Sequence, residues 1–419
     1  MKSLLLRFHG PCLLLGLAAA GLGLPAQESR PALRRDEADG LPIVHLYGDA
    51  RTRGEALGRA LADEVVAVVR AEFRERFAAR EALFAQMRHR IEPMIAFPAE
   101  QRQEIEGLYA GLVASGRDLR LPEFERDLDL ADLLVANALD VFAGIGCSGF
   151  TVCGDRVAGG GVLTGRNFDW FYTGPHLVEQ AILLVVHPPD GRAHAFLTWP
   201  GYFGAITAVQ EDGMALFLHV GSGKLALVPR KGAWPTASAA RELLRLAPAA
   251  AITQALPLLA RTSPPASYLT RLVLPYAPQD GCPELVFEAD TRQVVRRQVA
   301  GACCITTNHF CTRSDGREPS GDSLQRYAEI EQELGRCFGE GDHRLSLGEA
   351  WAALRSVDRS GRGFGTLHAL VFRNDPWHFE VKLGVPNGAA KVKSAHTAVR
   401  SHVLAREKLF GVPPAASRR

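Results

Sequence analysis

The feature that most limits how this chain can fold is a change of hydrophobic period at Gly146-Cys147. Upstream, from Gly54 to about Ile145, apolar residues recur every three or four positions. They are Leu57, Leu61, Val65 and Val68, then Ile105, Leu108, Tyr109 and Leu112, then Leu130, Leu133, Leu134 and Val141. That spacing predicts amphipathic helices. Gly107, Ala110, Gly111 and Ala114 within the second group are small, which predicts a close helix crossing. Downstream, CSGFTVCG, GGVLTGRNFDW, QAILLVVH, AHAFLTW and MALFLHV are short β-prone runs divided by Gly, Pro and Asp turns. Such runs predict consecutive antiparallel strands. Helical spacing returns over 243–259, 327–334 and 347–354, and further strands are predicted at LVFEAD, CCITTNHF and HALVFRN. Blocks of helices and strands in this order predict a layered α+β body. There is no internal repeat and no clear linker. Residues 27–39 read as a charged flexible lead-in, and the basic tail after Gly384 as a surface extension.

Composition narrows the function classes. A chain of 419 residues that is 47% hydrophobic and 22% charged has ordinary globular proportions, which excludes disordered and fibrous architectures. A formal charge of +2 supplies no field for nucleic acid. At the N-terminus Lys2 and Arg7 precede an apolar run over 11–24 and then Pro25-Ala26-Gln27. This predicts a signal peptide over 1–26, hence an exported protein with no integral membrane span in its mature form, an uncleaved anchor being the alternative. Its removal takes two basic residues and leaves 46 of each sign, so the net charge belongs to the targeting segment. It also takes Cys12 and leaves seven of the eight cysteines, an odd number that implies at least one free thiol.

Cys147 is the candidate. Glycine at 146 leaves its carbonyl open to attack by the next side chain, so an N-to-S acyl shift would release Cys147 as a new N-terminus. The freed amine, with an ordinary pKa of about 7.7–8.0, would then serve as base for its own thiol. The alternative for Cys147 is a small buried hydrophobe. Cys153 lies about 20 Å away along an extended strand, too far for a disulfide or a shared metal.

GCSGFTVCG followed by GRNFDW resembles the acyl-coenzyme A:6-aminopenicillanic-acid acyltransferase family of autoproteolytic N-terminal-nucleophile (Ntn) hydrolases. Choloylglycine hydrolases and acid ceramidase-like amidases are more distant relatives of that family. The resemblance continues in EIEGLYAGLVASG upstream and in TTNHF and SLQRY downstream, and spans most of 41–385. It implies an αββα four-layer sandwich with a signal peptide over 1–26, a helical pro-segment over 27–146 and a catalytic chain over 147–419. Gly146 and Cys147 become the cleavage site, and the processed chains are expected to stay associated. Cys147 becomes the nucleophile. Asp169 would hold the amine, Arg166 would contact the thiol or the substrate carbonyl region, and Asn308 would complete an oxyanion hole. Arg326 would bind a substrate carboxylate. Because residues three apart on a strand face opposite ways, Arg166 and Asp169 converge only if the strand ends or bulges near Asn167. Gln210, a candidate oxyanion or pocket residue, stands where the choloylglycine relatives carry Asn and is one methylene longer, and Ser148-Gly149 replaces a bulkier hydroxyl-rich pair.

Other signals are weaker. GSGK at 221–224 and AGGG at 158–161 do not complete a phosphate loop. Cys303, Cys304 and Cys311 lack the spacing of a zinc site. His309 reads as structural. Trp199, Tyr202 and Phe203 line either an apolar acyl pocket or the core. The resulting expectation is an exported, self-processing cysteine amidase or acyltransferase acting on a small-molecule acyl amide or thioester, without metal or organic cofactor. Its rivals are a non-catalytic ligand-binding protein on the same fold and a lipid or lysophospholipid esterase of the same superfamily.

Overall fold

The β-prone runs assemble into two sheets that face one another. A computed structural model of the chain describes residues 31–139, 146–171, 175–224, 230–262, 267–276, 281–299, 301–339, 342–359, 364–387 and 392–411. The first sheet runs, in spatial order, β1 (Leu33–Ala38), β2 (Leu41–Tyr47), β7 (Ile182–His187), β8 (His194–Thr198), β9 (Thr207–Gln210), β10 (Ala215–Val220), β11 (Tyr268–Val273), β12 (Glu284–Ala289) and β13 (Val294–Arg296). Its neighbours are antiparallel except β2 and β7, which run parallel. The second, antiparallel throughout, runs β14 (Cys303–Thr306), β5 (Gly146–Cys153), β6 (Val162–Phe171), β15 (Phe364–Asn374), β16 (Trp377–Leu383) and β19 (His402–Val403). Short ribbons pair β3 (Arg120–Leu121) with β4 (Arg126–Asp127) and β17 (Val385–Pro386) with β18 (Val392–Lys393).

The helices are α1 (Ala50–Ala60), α2 (Ala62–Phe77), α3 (Glu81–Met94), α4 (Ala99–Ser115), α5 (Leu130–Asn137), α6 (His176–Glu179), α7 (Thr236–Leu244), α8 (Pro248–Leu259), α9 (Gly321–Gly339), α10 (Leu347–Ser356) and α11 (Arg406–Phe410). Strand alternation sorts the apolar residues into cores between layers. Leu184, Val186, Phe196, Leu216 and Leu272 of the first sheet pack on α1, α2, α4, α5, α7 and α8. Leu183, Val185, Val209 and Phe217 face the other way and meet Val162, Leu370, Phe372 and Val381 of the second sheet. Phe150, Leu163 and Val371 then turn outward onto Ile330 and Leu334 of α9 and Ala353 and Leu354 of α10. The result is the α+β, four-layer αββα sandwich that was expected.

The predicted close helix crossing is present between α4 and α1. A Cβ added at Gly107 would lie 2.3 Å from Arg51 O, one at Gly111 2.3 Å from Glu55 O, and one at Gly58 2.3 Å from Leu108 O. Glycine therefore allows the two backbones to touch.

Three local expectations are corrected. The run from Leu57 to Val68 is two helices, broken at Leu61. The charged lead-in contains strand β1, joined to β2 through Asp39-Gly40, both at positive φ (51° and 90°). That is the turn chemistry of a tight hairpin. The basic tail is no loose extension either: β19 pairs with β16, and Leu404 and Leu409 are fully buried.

Candidate active site

Strand register centres the site on the Gly146-Cys147 junction. β5 starts at Gly146, and in its pairing with β6 Gly146 lies opposite Asp169, Cys147 opposite Phe168 and Gly149 opposite Arg166. The side chains of Arg166 and Asp169 do take opposite faces of β6, as alternation requires. Arg166 points between the sheets, over the rings of Phe168 and Phe217 at 5.5 Å each. Asp169 points towards α9 and β15, where Thr366 Oγ1 donates to its Oδ1 at 2.7 Å and Arg326 Nη1 stands 4.0 Å from its Oδ2. A register shift lies between Thr366 and His368 of β15, on the partner strand instead of on β6. The two residues need not converge on each other, because the Gly146-Cys147 junction lies between them.

Four segments meet on Cys147. Its Sγ accepts from Arg166 Nη2 at 3.4 Å and donates to Leu218 O of β10 at 3.5 Å. Arg166 Nη2 also donates to Leu218 O, at 2.8 Å. The Cys147 N–H donates to Asn308 Oδ1 at 2.9 Å, while Arg326 donates to the same Oδ1 at 2.7 Å and to Cys147 O at 2.5 Å. Asn308 is aimed by its neighbours: its N–H donates to Ser323 Oγ at 2.9 Å and its Nδ2 to Val220 O at 2.8 Å. The Asn308 amide thus presents its carbonyl to the Cys147 main chain and its nitrogen to Val220. Arg326, in turn, is braced by Asp322 at 2.9 Å one helical turn away. His309 is tied to Ser323 and Thr307 and touches nothing at the thiol.

Burial sets the charges. Cys147 is wholly buried, which pushes its thiol up to about 11; Arg166 acts against that shift and Asp169 with it. Arg166 is also wholly buried, and desolvation pulls its guanidinium down to about 10. Its Nε and Nη1 find no hydrogen-bond partner among the described residues, and neither does Asp169 Oδ2. Burial raises the Asp169 carboxyl, with Arg326 and Thr366 opposing. A buried acceptor left without a donor is costly, and Asp169 Oδ2, with the Arg326 guanidinium at 4.0 Å, has room for a closer donor.

Gln210 is not brought to the junction. Its Nε2 donates to Leu244 O and Leu246 O at 2.7 and 2.6 Å, capping the end of α7, and β9 carries it to the far end of the β10 pairing from Leu218. Tyr202 does lie nearby, in a largely apolar cleft of about 690 Å³, open solvent included. Phe168, which is paired with Cys147, lines it together with Trp170, Trp199 and Val69 and Phe73 of α2. Two helices from before the junction therefore wall the cleft, α2 and, through Ala136, α5. Phe203 belongs to the core.

Glu72, which lines the cleft, meets His176 Nε2 through its Oε1 at 2.8 Å, and His176 Nδ1 lies 3.7 Å from Glu75 Oε1, a grouping able to hold a cation. Arg76 already pairs with Glu72 at 2.6 Å and would compete with a metal there. No helix among the described residues is long and apolar enough to cross a membrane.

No family model matches the chain. Among curated proteins it is similar to protein dcd1B of Dictyostelium discoideum, 28% identical over 192 residues that cover 42% of this chain and 37% of that one. An uncharacterized protein of Archaeoglobus fulgidus is 28% identical over 139 residues, 28% of this chain and 21% of that one. The chain thus spans well under half the length of the curated relatives it matches. Among solved structures it is similar to a Caenorhabditis elegans ortholog of N-acylethanolamine-hydrolyzing acid amidase, with TM-score 0.38 and 14% identity over 54% of this chain and 93% of that one. It is also similar to a variant of conjugated bile acid hydrolase from Clostridium perfringens, with TM-score 0.40 and 9% identity over 64% and 99% of the two chains.

Proposed function

We propose that this chain is an exported, self-processing cysteine hydrolase of the N-terminal-nucleophile kind, acting on a linear amide or thioester that carries an apolar acyl group. The observation that supports it is the set of contacts on one peptide junction. Arg166 lies on the Cys147 thiol, Asn308 on its N–H and Arg326 on its carbonyl, and Asp169 is in register with Gly146.

In processing, Cys147 Sγ attacks the Gly146 carbonyl carbon, its proton passes to the Cys147 nitrogen, and the Gly146–Cys147 amide bond breaks as the thioester forms. Water then releases Gly146 as a carboxylate. The new α-ammonium of Cys147 supplies the cation for Asp169 Oδ2. In turnover the deprotonated amine takes the thiol proton, the sulfur attacks the substrate carbonyl, and the proton passes to the leaving amine or thiol; water, deprotonated by the same amine, then breaks the Cys147 thioester to give the free acid and restore the thiol. Arg166 favours the developing thiolate, and Asn308 donates to the oxyanion with the amide nitrogen that now also serves Val220. The apolar cleft beside Phe168 receives the acyl group. Hydrolysis is favoured over transfer to another amine because coenzyme A thioesters are not expected outside the cytoplasm.

Intact mass of the purified protein tests the first step. A break between Gly146 and Cys147 that vanishes in Cys147→Ala supports it. An uncut chain whose Cys147 resists thiol reagents sinks it in favour of a non-catalytic binding protein. Screening the cut protein on N-acyl amino acids, bile-acid conjugates, β-lactams and acyl esters then separates amidase from esterase.

A further inference from the structure

Asp169 is held, on the side away from the thiol, by a line of groups to which the proposed chemistry gives no task. Thr366 Oγ1 donates to Asp169 Oδ1 at 2.7 Å and lies 3.3 Å from Asp358 Oδ1. Asp358 Oδ1 accepts from Ser394 Oγ at 2.9 Å. Thr366 and Asp169 are wholly buried, whereas Asp358, just beyond α10, is partly exposed. The line therefore runs from the junction towards solvent.

A hydroxyl carries one hydrogen, and the shorter distance, 2.7 against 3.3 Å, favours its donation to Asp169. Were Asp169 protonated, the same hydroxyl could accept from it and turn its hydrogen to Asp358. One oxygen thus links two carboxyl groups and can point either way. We infer that Thr366 and Asp358 are positioning residues that set the charge of Asp169, Thr366 by donating to its anion and Asp358 by opposing it with a second negative charge. The inference rests on the proposed role of Asp169 as holder of the Cys147 amine.

The other charged or titratable groups facing Asp169 are Arg326 of α9, Arg166 of its own strand and Cys147 of β5. His396, in the turn after Ser394, interacts with Asp358. Burial raises the Asp169 carboxyl most; Arg326, Thr366 and Arg166 lower it and Asp358 raises it. The two positioning residues therefore act with opposite sign, which a merely structural role would not reproduce.

The test is carboxyl ¹³C NMR titration of Asp169 in aspartate-labelled full-length protein, its resonance assigned by loss in Asp169→Asn. Thr366→Val should move the Asp169 midpoint to higher pH, Thr366→Ser should restore it, and Asp358→Asn should move it to lower pH. Midpoints that stay put, or that shift the same way in Thr366→Val and Asp358→Asn, overturn the inference. Intact mass of the same samples reads the Gly146-Cys147 break independently. An uncut wild-type chain counts against the proposed function, while the midpoints still decide the inference. Where the chain is cut, the acid limb of the processing rate should track the midpoints in both directions.

Discussion

A thiol with no exposure and its ionisation pushed up to about 11 is a poor nucleophile as it stands. Arg166, at 3.4 Å, works against this more strongly than Arg326 does. Arg166→Leu should therefore push the Cys147 thiol higher and slow processing by at least about tenfold, since one pKa step is about 1.4 kcal/mol. The time course of the intact mass at pH 7 and 8 checks this. The same burial makes the fold sensitive to alkali. Below its ordinary value near 9 the thiol is protonated in both folded and unfolded chains, so its contribution is whole. As pH rises from about 9 to about 11 the unfolded chain loses the proton first, and stability falls. Cys147→Ser should make the decline of unfolding free energy over that window shallower by about 2–3 kcal/mol, measured by urea denaturation of the uncut chain. At this scale the gathering of Cys147, Arg166, Asp169, Asn308 and Arg326 at one junction was legible only through the family resemblance that their motifs carry. Gln210 was misplaced because an amide at a strand end looks the same in sequence whether it faces a substrate or caps a helix, as it does for α7. Thr366 and Asp358 left no signal, since a threonine in a β-prone run is ordinary.

Among the elements, the pair α1 and α4 shows how the segment before Cys147 is bound to the chain beyond it. Glu104 of α4 is wholly buried between Arg53 of α1, whose Nε donates to it at 2.9 Å, and Arg241 of α7, whose Nη2 donates at 2.9 Å. Burial opposes the Glu104 charge, but Arg241 and Arg53 outweigh it and hold the carboxyl below its ordinary range. Removing that charge would take away the carboxylate that Arg241 pairs with and leave Arg53 to Glu100. Glu104→Gln should then cost about 3–5 kcal/mol, read from the urea midpoint. Gly58→Ala tests the contact itself, because its Cβ would sit 2.3 Å from a backbone oxygen of α4 and force the helices apart. A loss of about 1–3 kcal/mol is expected. The helices were legible through their period, and the small face of α4 announced the crossing. Strand β1 and the tail were not read, because their hydrophobic content is slight. Pairing with β2 and β16, and the burial of Leu404 and Leu409, come from tertiary contacts that no local pattern encodes.

For the whole molecule, the consequence is that cutting one peptide bond would not divide the protein. Residues 32–419 form one compact unit. The stretch before Cys147 supplies β1 and β2 to the first sheet, with β2 pairing parallel to β7 over five residue pairs. It also supplies Leu57, Val65, Phe73, Leu108 and Leu134 to the core that contains Cys147, Phe168 and Leu216. Apolar surface buried to this extent is held at roughly 25 cal/mol per Å², and breaking a peptide bond exposes none of it. The two chains of the processed form should therefore run as two bands on a denaturing gel and as a single peak of undiminished size in native chromatography. They should separate only at denaturant concentrations that unfold the whole. By the same argument residues 147–419 expressed alone should aggregate, because the part of the first sheet covered by α1, α2, α4 and α5, and one wall of the cleft, would be bare. Two native peaks, or a soluble active 147–419 fragment, would show that the N-terminal helices are a dispensable cover. A single peak makes them a lasting wall of the apolar cleft, to which α2 contributes Val69 and Phe73.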